Sequence, residues 1–265
     1  MLDELSLSTT VFGRERAGLP VEKMLDLIAE AGYRHIEISR HHDLAGRTET
    51  VRRAGLRVWS IHGVSGAAAA SLDERGRRRQ VDDECRRIEA LACFAPAPCV
   101  VHYVDRRLDR EYGRQFRRSI EEIHAFAVRF GFTVAVETAP YKPQVDERYP
   151  DSAEIAAFVR SFATPDLRMT VDINHSNLHE RLDAVAANCD GLIANVHLSD
   201  NHGQWEDHLP PGEGIIDLKQ TFAQLRLHGY EGPANLEYHV PEPPDAAALR
   251  RVRLRTLELL GWQRE

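Results

Sequence analysis

Eight times along the chain a short run of β-type residues is followed by a stretch with helical spacing, and that alternation constrains the fold more than any other feature. Parallel strands cannot be joined by tight turns and need long crossovers, usually helical, so the repetition argues for a parallel sheet. The β-type runs are Leu5 to Phe12, His35 to Ser39, Arg57 to His62, Cys99 to Val104, Thr133 to Glu137, Leu167 to Ile173, Ile193 to Leu198 and Ala234 to Glu237. Helical patterns follow over 21–31, 48–54, 74–94, a second long stretch ending at 130, 153–162, 182–187, 218–227 and 246–260. In the first of these Val21, Met24, Leu25 and Ile28 share one face, and Gly32 closes it. Eight such units predict an α/β chain folded as a single closed (β/α)8 barrel, in which closure removes both sheet edges; a doubly wound open sheet is the alternative. No composition shift or linker divides the 265 residues, which read as one domain over 1–265.

Barrels of this kind carry their chemistry at the C-terminal ends of the strands. Seven successive runs bring an acid or an imidazole there: Glu37, His62, His102, Glu137, Asp172 with His175 just beyond, His197 and Glu237. One such residue alone reads as hydrogen-bonded scaffold. Eight together would cost several kcal/mol in repulsion and desolvation, a cost that a divalent cation removes by turning the groups into ligands. Carboxylates and imidazoles without a cysteine suit Mn, Mg, Co, Fe or Zn, and nothing in the pattern asks for an organic cofactor. The polar stretch from Asn195 to Gly214, dense in His, Asp, Glu and Pro, reads as one wall of the site.

At these residues the chain resembles the xylose-isomerase-like TIM barrel superfamily, which holds sugar-phosphate isomerases and epimerases and also nucleases of the endonuclease IV type. The resemblance spans nearly the whole chain and rests on Val136-Glu-Thr138, Val171-Asp-Ile-Asn-His175, the His197-Leu-Ser-Asp-Asn loop, His208-Leu-Pro-Pro-Gly-Glu-Gly214 and Leu236-Glu237. Similarity to the ketose 3-epimerase branch implies one divalent metal held by Glu137, Asp172, His197 and Glu237. Hydroxypyruvate isomerases place Gln where His197 stands. The nuclease branch implies further ligands at His62, His102, His175 and His208, with Glu206 standing where that branch has Asp. Among the epimerase branch's substrate residues His175 fits, whereas its acid after the fifth strand and its arginine after the seventh fall near Pro143 and Gly203.

The resemblance implies a metal-dependent isomerase or epimerase acting on a sugar or sugar derivative, by proton transfer alpha to a carbonyl through a metal-stabilised enediolate. Glu137 and Glu237 would be the acid–base pair. Glu37, His62, His102, His175 and Trp205 would bind substrate, and His62, His102, His175, Glu206 and His208 could hold additional metal. A lyase or dehydratase acting on a keto-sugar or inosose begins with the same proton abstraction and stays open, as do an endonuclease IV-like zinc phosphodiesterase and a non-catalytic sensor.

The formal charge of −7 supplies no global field for nucleic acid. Arginines at 75–79 and 106–118 read as solvated helix faces. Cys85, Cys93, Cys99 and Cys189 contain no C-x-x-C pair and read as buried structural thiols in a reducing compartment. The start, Met-Leu-Asp-Glu-Leu-Ser, lacks the basic region of a leader, and no apolar run approaches the roughly 18 residues a membrane span needs, so a cytoplasmic location is expected. A small-molecule partner is expected, without membrane, with homo-oligomerisation left open.

Overall fold

A computed structural model describes residues 4–13 and 19–262; the first three residues, on which the leader expectation partly rests, lie outside the described residues. Eight parallel strands close into a barrel in sequence order: β1 Leu5–Ser8, β2 His35–Ile38, β3 Arg57–His62, β4 Pro98–His102, β5 Thr133–Glu137, β6 Leu167–Asp172, β7 Ile193–Leu198 and β8 Ala234–Leu236. Helices α1 Val21–Glu30, α2 Thr48–Arg53, α3 Glu74–Ala90, α4 Arg110–Val128, α5 Ser152–Arg160, α6 Ile173–Asn177, α7 Leu182–Asn188, α8 Leu218–Leu227 and α9 Ala246–Leu260 carry the chain from strand to strand. β1 pairs β8 through Leu5↔Ala234 and Leu7↔Leu236, so no sheet edge remains. Among the described residues, no helix is long and apolar enough to cross a membrane.

Alternation along each strand divides the molecule into two environments. Leu7, Ile36, Ile38, Ile61, Val101, Val134, Val136, Met169, Val171, Val196, Leu198 and Leu236 join the apolar cluster that packs the barrel against helices such as α4, whose Phe116, Ile120, Ile123 and Ala127 are buried. The intervening positions hold Ser6, Ser8, Glu37, Ser60, Thr170, Asn195 and Asn235, buried and polar. The bore is therefore polar rather than oily, hydrogen-bonded in part, while Ser6 Oγ, Thr170 Oγ1 and both side-chain polar atoms of Asn235 have no hydrogen-bond partner. Trp59 Nε1 donates to Asn195 Oδ1 at 2.9 Å, and Ser60 Oγ donates to Glu37 Oε2 at 2.7 Å.

Element boundaries differ from expectation where side chains compete with the backbone ladder. The first strand stops at Ser8 because the Ser8 side chain accepts from Thr10 N, turning Thr9–Phe12 into a single 3-10 turn. The helix expected over 74–94 ends at Ala90, and Ala92–Phe94 forms a separate 3-10 turn. α6 was not foreseen: Asp172 Oδ1 accepts from His175 N at 2.9 Å and starts a helix directly at the end of β6.

Aspartates cap six helices: Asp73, Asp109, Asp151, Asp172, Asp217 and Asp245 each accept a backbone N–H of the first turn. Of these Asp245 is exposed and distant in role from the mouth, holding Ala248 N at 2.7 Å at the start of α9. Asp245→Ala is expected to lower unfolding stability by about 1 kcal/mol, read as a shifted midpoint with unchanged slope in urea denaturation.

Candidate functional site

His197, at the inner surface of β7, is fully buried and forms the floor of the mouth. Its Nδ1 lies 2.6 Å from Glu137 Oε1, 2.9 Å from Glu237 Oε2 and 3.8 Å from Asp172 Oδ2. Its Nε2 meets Glu37 Oε2 at 2.9 Å. Glu37 has no exposed surface and sits beneath His197, so it cannot contact substrate as the sequence suggested; it orients the imidazole so that Nδ1 faces the three other carboxylates.

An imidazole nitrogen carries at most one proton, which cannot satisfy three carboxylates. Asp172 Oδ2, buried, has no hydrogen-bond partner, while its other oxygen caps α6. Three oxygens and one nitrogen converging on one small volume, with no sulfur among them, fit a hard or borderline divalent cation held by Glu137, Asp172, His197 and Glu237. His62 joins Glu137, His197 and Glu237 in one potential ligand group, and Asp172 with His175 and His208 makes a second, so Asp172 lies between the two.

Four further histidines share one orientation. His62 Nδ1 donates to Gly63 O at 3.0 Å, His102 Nδ1 to Ser65 O at 3.3 Å, His175 Nδ1 to Thr138 O at 2.9 Å and His208 Nδ1 to Glu237 O at 3.1 Å. A carbonyl oxygen only accepts, which fixes the proton on Nδ1 in each case. The Nε2 edges turn to carboxylates of the mouth: His102 to Glu137 Oε2 at 3.0 Å, His62 to Glu237 Oε1 at 4.0 Å, and both His175 and His208 to Glu206 Oε1, at 3.4 and 3.3 Å. His208 adopts a left-handed backbone, φ 48°, held by Asp200 pairing with Leu209 and by His239 N donating to His208 O. That strain, of order 1–3 kcal/mol, aims its ring at the cavity.

Charge crowding shifts several groups. Burial lowers the His197 pKa, but Glu237, Glu37 and Glu137 outweigh it and hold the ring well above its ordinary value. Burial opposes ionisation of Glu137, yet His102 and His197 draw its pKa well below the usual range. For Asp172 burial wins and raises the pKa, despite His175 and His208. His175, depressed by burial but facing Asp172, Glu206 and Glu137, is pushed up to about 10.

The cavity over this floor measures about 800 Å³. His62, His102, Glu137, His175, Glu206, His208 and Glu237 line it; Trp205 does not, being 65% exposed on its loop. Arg40, Arg106, Arg107 and Lys142 also line it. Arg106 and Arg107 were expected on a helix face, but Asp109 caps α4 after them and leaves both on the loop, where they pair with Asp146 and Glu147 at 3.3 and 2.8 Å. Lys142 Nζ reaches Glu206 Oε2 at 3.0 Å and ties the loop after β5 to that after β7. His239, its ring tilted against that of His208 with centroids 4.8 Å apart, was missed although it lies two residues beyond Glu237. All four cysteines are free thiols; Cys99 and Cys189 are buried, but Cys93 is exposed, contrary to expectation.

A family model described as xylose isomerase-like TIM barrel matches residues 25–257. The chain belongs to that family. This family member is 29% identical over 187 residues to an uncharacterized protein of Methanocaldococcus jannaschii, across 63% of the chain and 59% of the relative. It is 27% identical over 158 residues to 3-dehydro-D-guloside 4-epimerase of Escherichia coli, across 59% of the chain and 53% of that enzyme. The chain thus aligns with little more than half the length of either relative. A crystal structure titled as a D-tagatose 3-epimerase-like protein superposes with a TM-score of 0.80 at 21% identity, covering 97% of this chain and 98% of the other, which establishes the shared fold.

Two outcomes follow for the cation. Because His197 is held protonated by its carboxylates in the metal-free protein, a cation at Nδ1 must displace that proton; affinity should fall about tenfold per pH unit on acidification while one proton is released. Calorimetric titration with Mn²⁺ in buffers of different ionisation heat reads the proton count, and a count of zero at neutral pH contradicts the assignment. Glu37→Ala should weaken Mn²⁺ binding by about 10- to 100-fold, measured by the same titration.

Proposed function

We propose that the chain is a divalent-metal-dependent sugar epimerase or isomerase that moves a proton alpha to a carbonyl. The observation that carries this reading is the placement of Glu137 Oε1 and Glu237 Oε2 on one imidazole nitrogen, 2.6 and 2.9 Å away, at the floor of a cavity large enough for a sugar or sugar derivative. A divalent cation held by Glu137, Asp172, His197 and Glu237 would supply Lewis-acid polarisation of the substrate carbonyl. Glu137 ends β5 and Glu237 follows β8, two strands separated by β6 and β7, so the two carboxylates would reach a bound sugar from different parts of the mouth. One carboxylate takes the proton from the carbon beside the carbonyl, and the other, protonated, returns one to the opposite face, inverting that carbon. With Nδ1 protonated and its pKa lowered by burial, the neutral ring of His62 offers Nε2 as an acceptor for a sugar hydroxyl, while His175 and His208, whose pKa values are raised, turn Nε2–H donors toward Glu206. The epimerase among the relatives supports this reaction class.

A second reading is favoured by two observations: the Asp172, His175 and His208 group with Glu206 beside it, and the basic residues Arg40, Arg106, Arg107 and Lys142 on the mouth. Together they suit a phosphodiester held by more than one cation.

Glu137→Gln and Glu237→Gln should each reduce kcat by at least about 10²-fold. Incubation of the wild-type enzyme with keto-sugars and glycosides in D₂O should place one deuteron on the epimerised carbon, detected by NMR. Elimination of water or aglycone instead would make the chain a lyase. Chelator-sensitive cleavage of abasic DNA, with two or three zinc ions per chain, would replace the epimerase reading by the nuclease one.

A further inference from the structure

Glu84 lies on α3, a helix so rich in charge that each of its acids reads as solvated, yet it has no exposed surface. Its Oε2 accepts from Val64 N and from Ser65 N, both at 2.7 Å. These two amides belong to the segment that leaves β3, and the carbonyls of the same segment orient the mouth: Gly63 O receives His62 Nδ1 and Ser65 O receives His102 Nδ1. The remaining backbone groups are also engaged. Gly63 N donates to Val100 O at 2.9 Å, and Val64 O accepts from Gln80 Nε2 at 3.1 Å. Gly63 is itself required for the approach, since a Cβ there would fall 2.3 Å from Glu84 Oε1 and 2.6 Å from Val100 O. One turn further along α3, Arg87 donates to Ser39 O at 2.7 Å and His42 O at 3.0 Å, anchoring the helix to the segment after β2.

We propose that Glu84 is a positioning residue that fixes the tautomer and ring orientation of both His62 and His102 by clamping residues 63–65 from behind. A free imidazole prefers its proton on Nε2; here two rings are held in the opposite tautomer, and the carbonyls that hold them are immobile because one buried carboxylate anchors the amides between them. Without that anchor the His62 ring is free to place Nε2–H in the mouth, converting an acceptor into a donor, and the His102 ring, whose Nε2 meets Glu137 Oε2 at 3.0 Å, loses the carbonyl that holds its Nδ1–H. The assignment is independent of the reaction the mouth performs.

The test is side-chain ¹⁵N NMR of histidine-labelled, metal-free protein at alkaline pH, with signals assigned from His62→Asn and His102→Asn. Wild type should show His62 and His102 protonated at Nδ1. Glu84→Ala should move both toward the Nε2-protonated or averaged pattern while the His175 signal stays in place. Glu84→Gln, whose amide oxygen can accept from the same two N–H groups, should restore the wild-type pattern; Glu84→Asp, one methylene short, should not. If Glu84→Ala does not fold, Glu84→Asp carries the comparison. Retention of the Nδ1-protonated pattern at His62 and His102 in a folded Ala or Asp variant overturns the proposal, as does a Gln variant indistinguishable from Asp.

Discussion

Because Nδ1 of His197 is approached by Glu137, Glu237 and Asp172 while Nε2 is engaged by Glu37, a single buried imidazole stands among four carboxylates. Such crowding in a low-dielectric interior costs several kcal/mol unless positive charge enters with it. The rest of the mouth answers that excess. His102 and His62 flank the outer oxygens of Glu137 and Glu237, and His175, His208 and Lys142 surround Glu206. The barrel supplies the geometry, but the charge imbalance sets what the barrel must hold.

Orientation is imposed from two directions. Glu37 acts from beneath on His197, whereas backbone carbonyls act from the rim on the other four histidines, so the central ring shows Nδ1 to the cavity region and its neighbours show Nε2. Neutral imidazole has one donor and one acceptor, and the second-layer partner decides which one a ligand meets.

Much of this was legible in the sequence because strand and helix periods differ and because inward positions are polar in nearly every strand. Glu137, Asp172, His197 and Glu237 stood out with other strand-end acids and imidazoles by position, and the family resemblance singled out these four; in the structure Glu137, Glu237 and Asp172 approach His197 Nδ1 at 2.6, 2.9 and 3.8 Å. Depth was not legible. Barrel strands are staggered, so Glu37 looks like a rim residue along its own strand yet lies below His197. Helical spacing from Arg106 to Arg118 extended the pattern across Asp109, although an aspartate before an apolar-periodic run signals a cap. Exposure of Trp205 and burial of Glu84 depend on how a loop and a helix lie against their neighbours, which local pattern does not encode.

The polar bore separates two tasks that most folds mix. Outward residues of the eight strands knit sheet to helices, while inward ones, from Trp59 through Asn195 and Glu37 to His197, form a connected polar column ending at the chemistry. Every second residue of a strand thus belongs to a different vocabulary. A lineage could rewrite the inward letters, and with them metal, substrate or reaction, while leaving the outward letters that keep the molecule folded untouched.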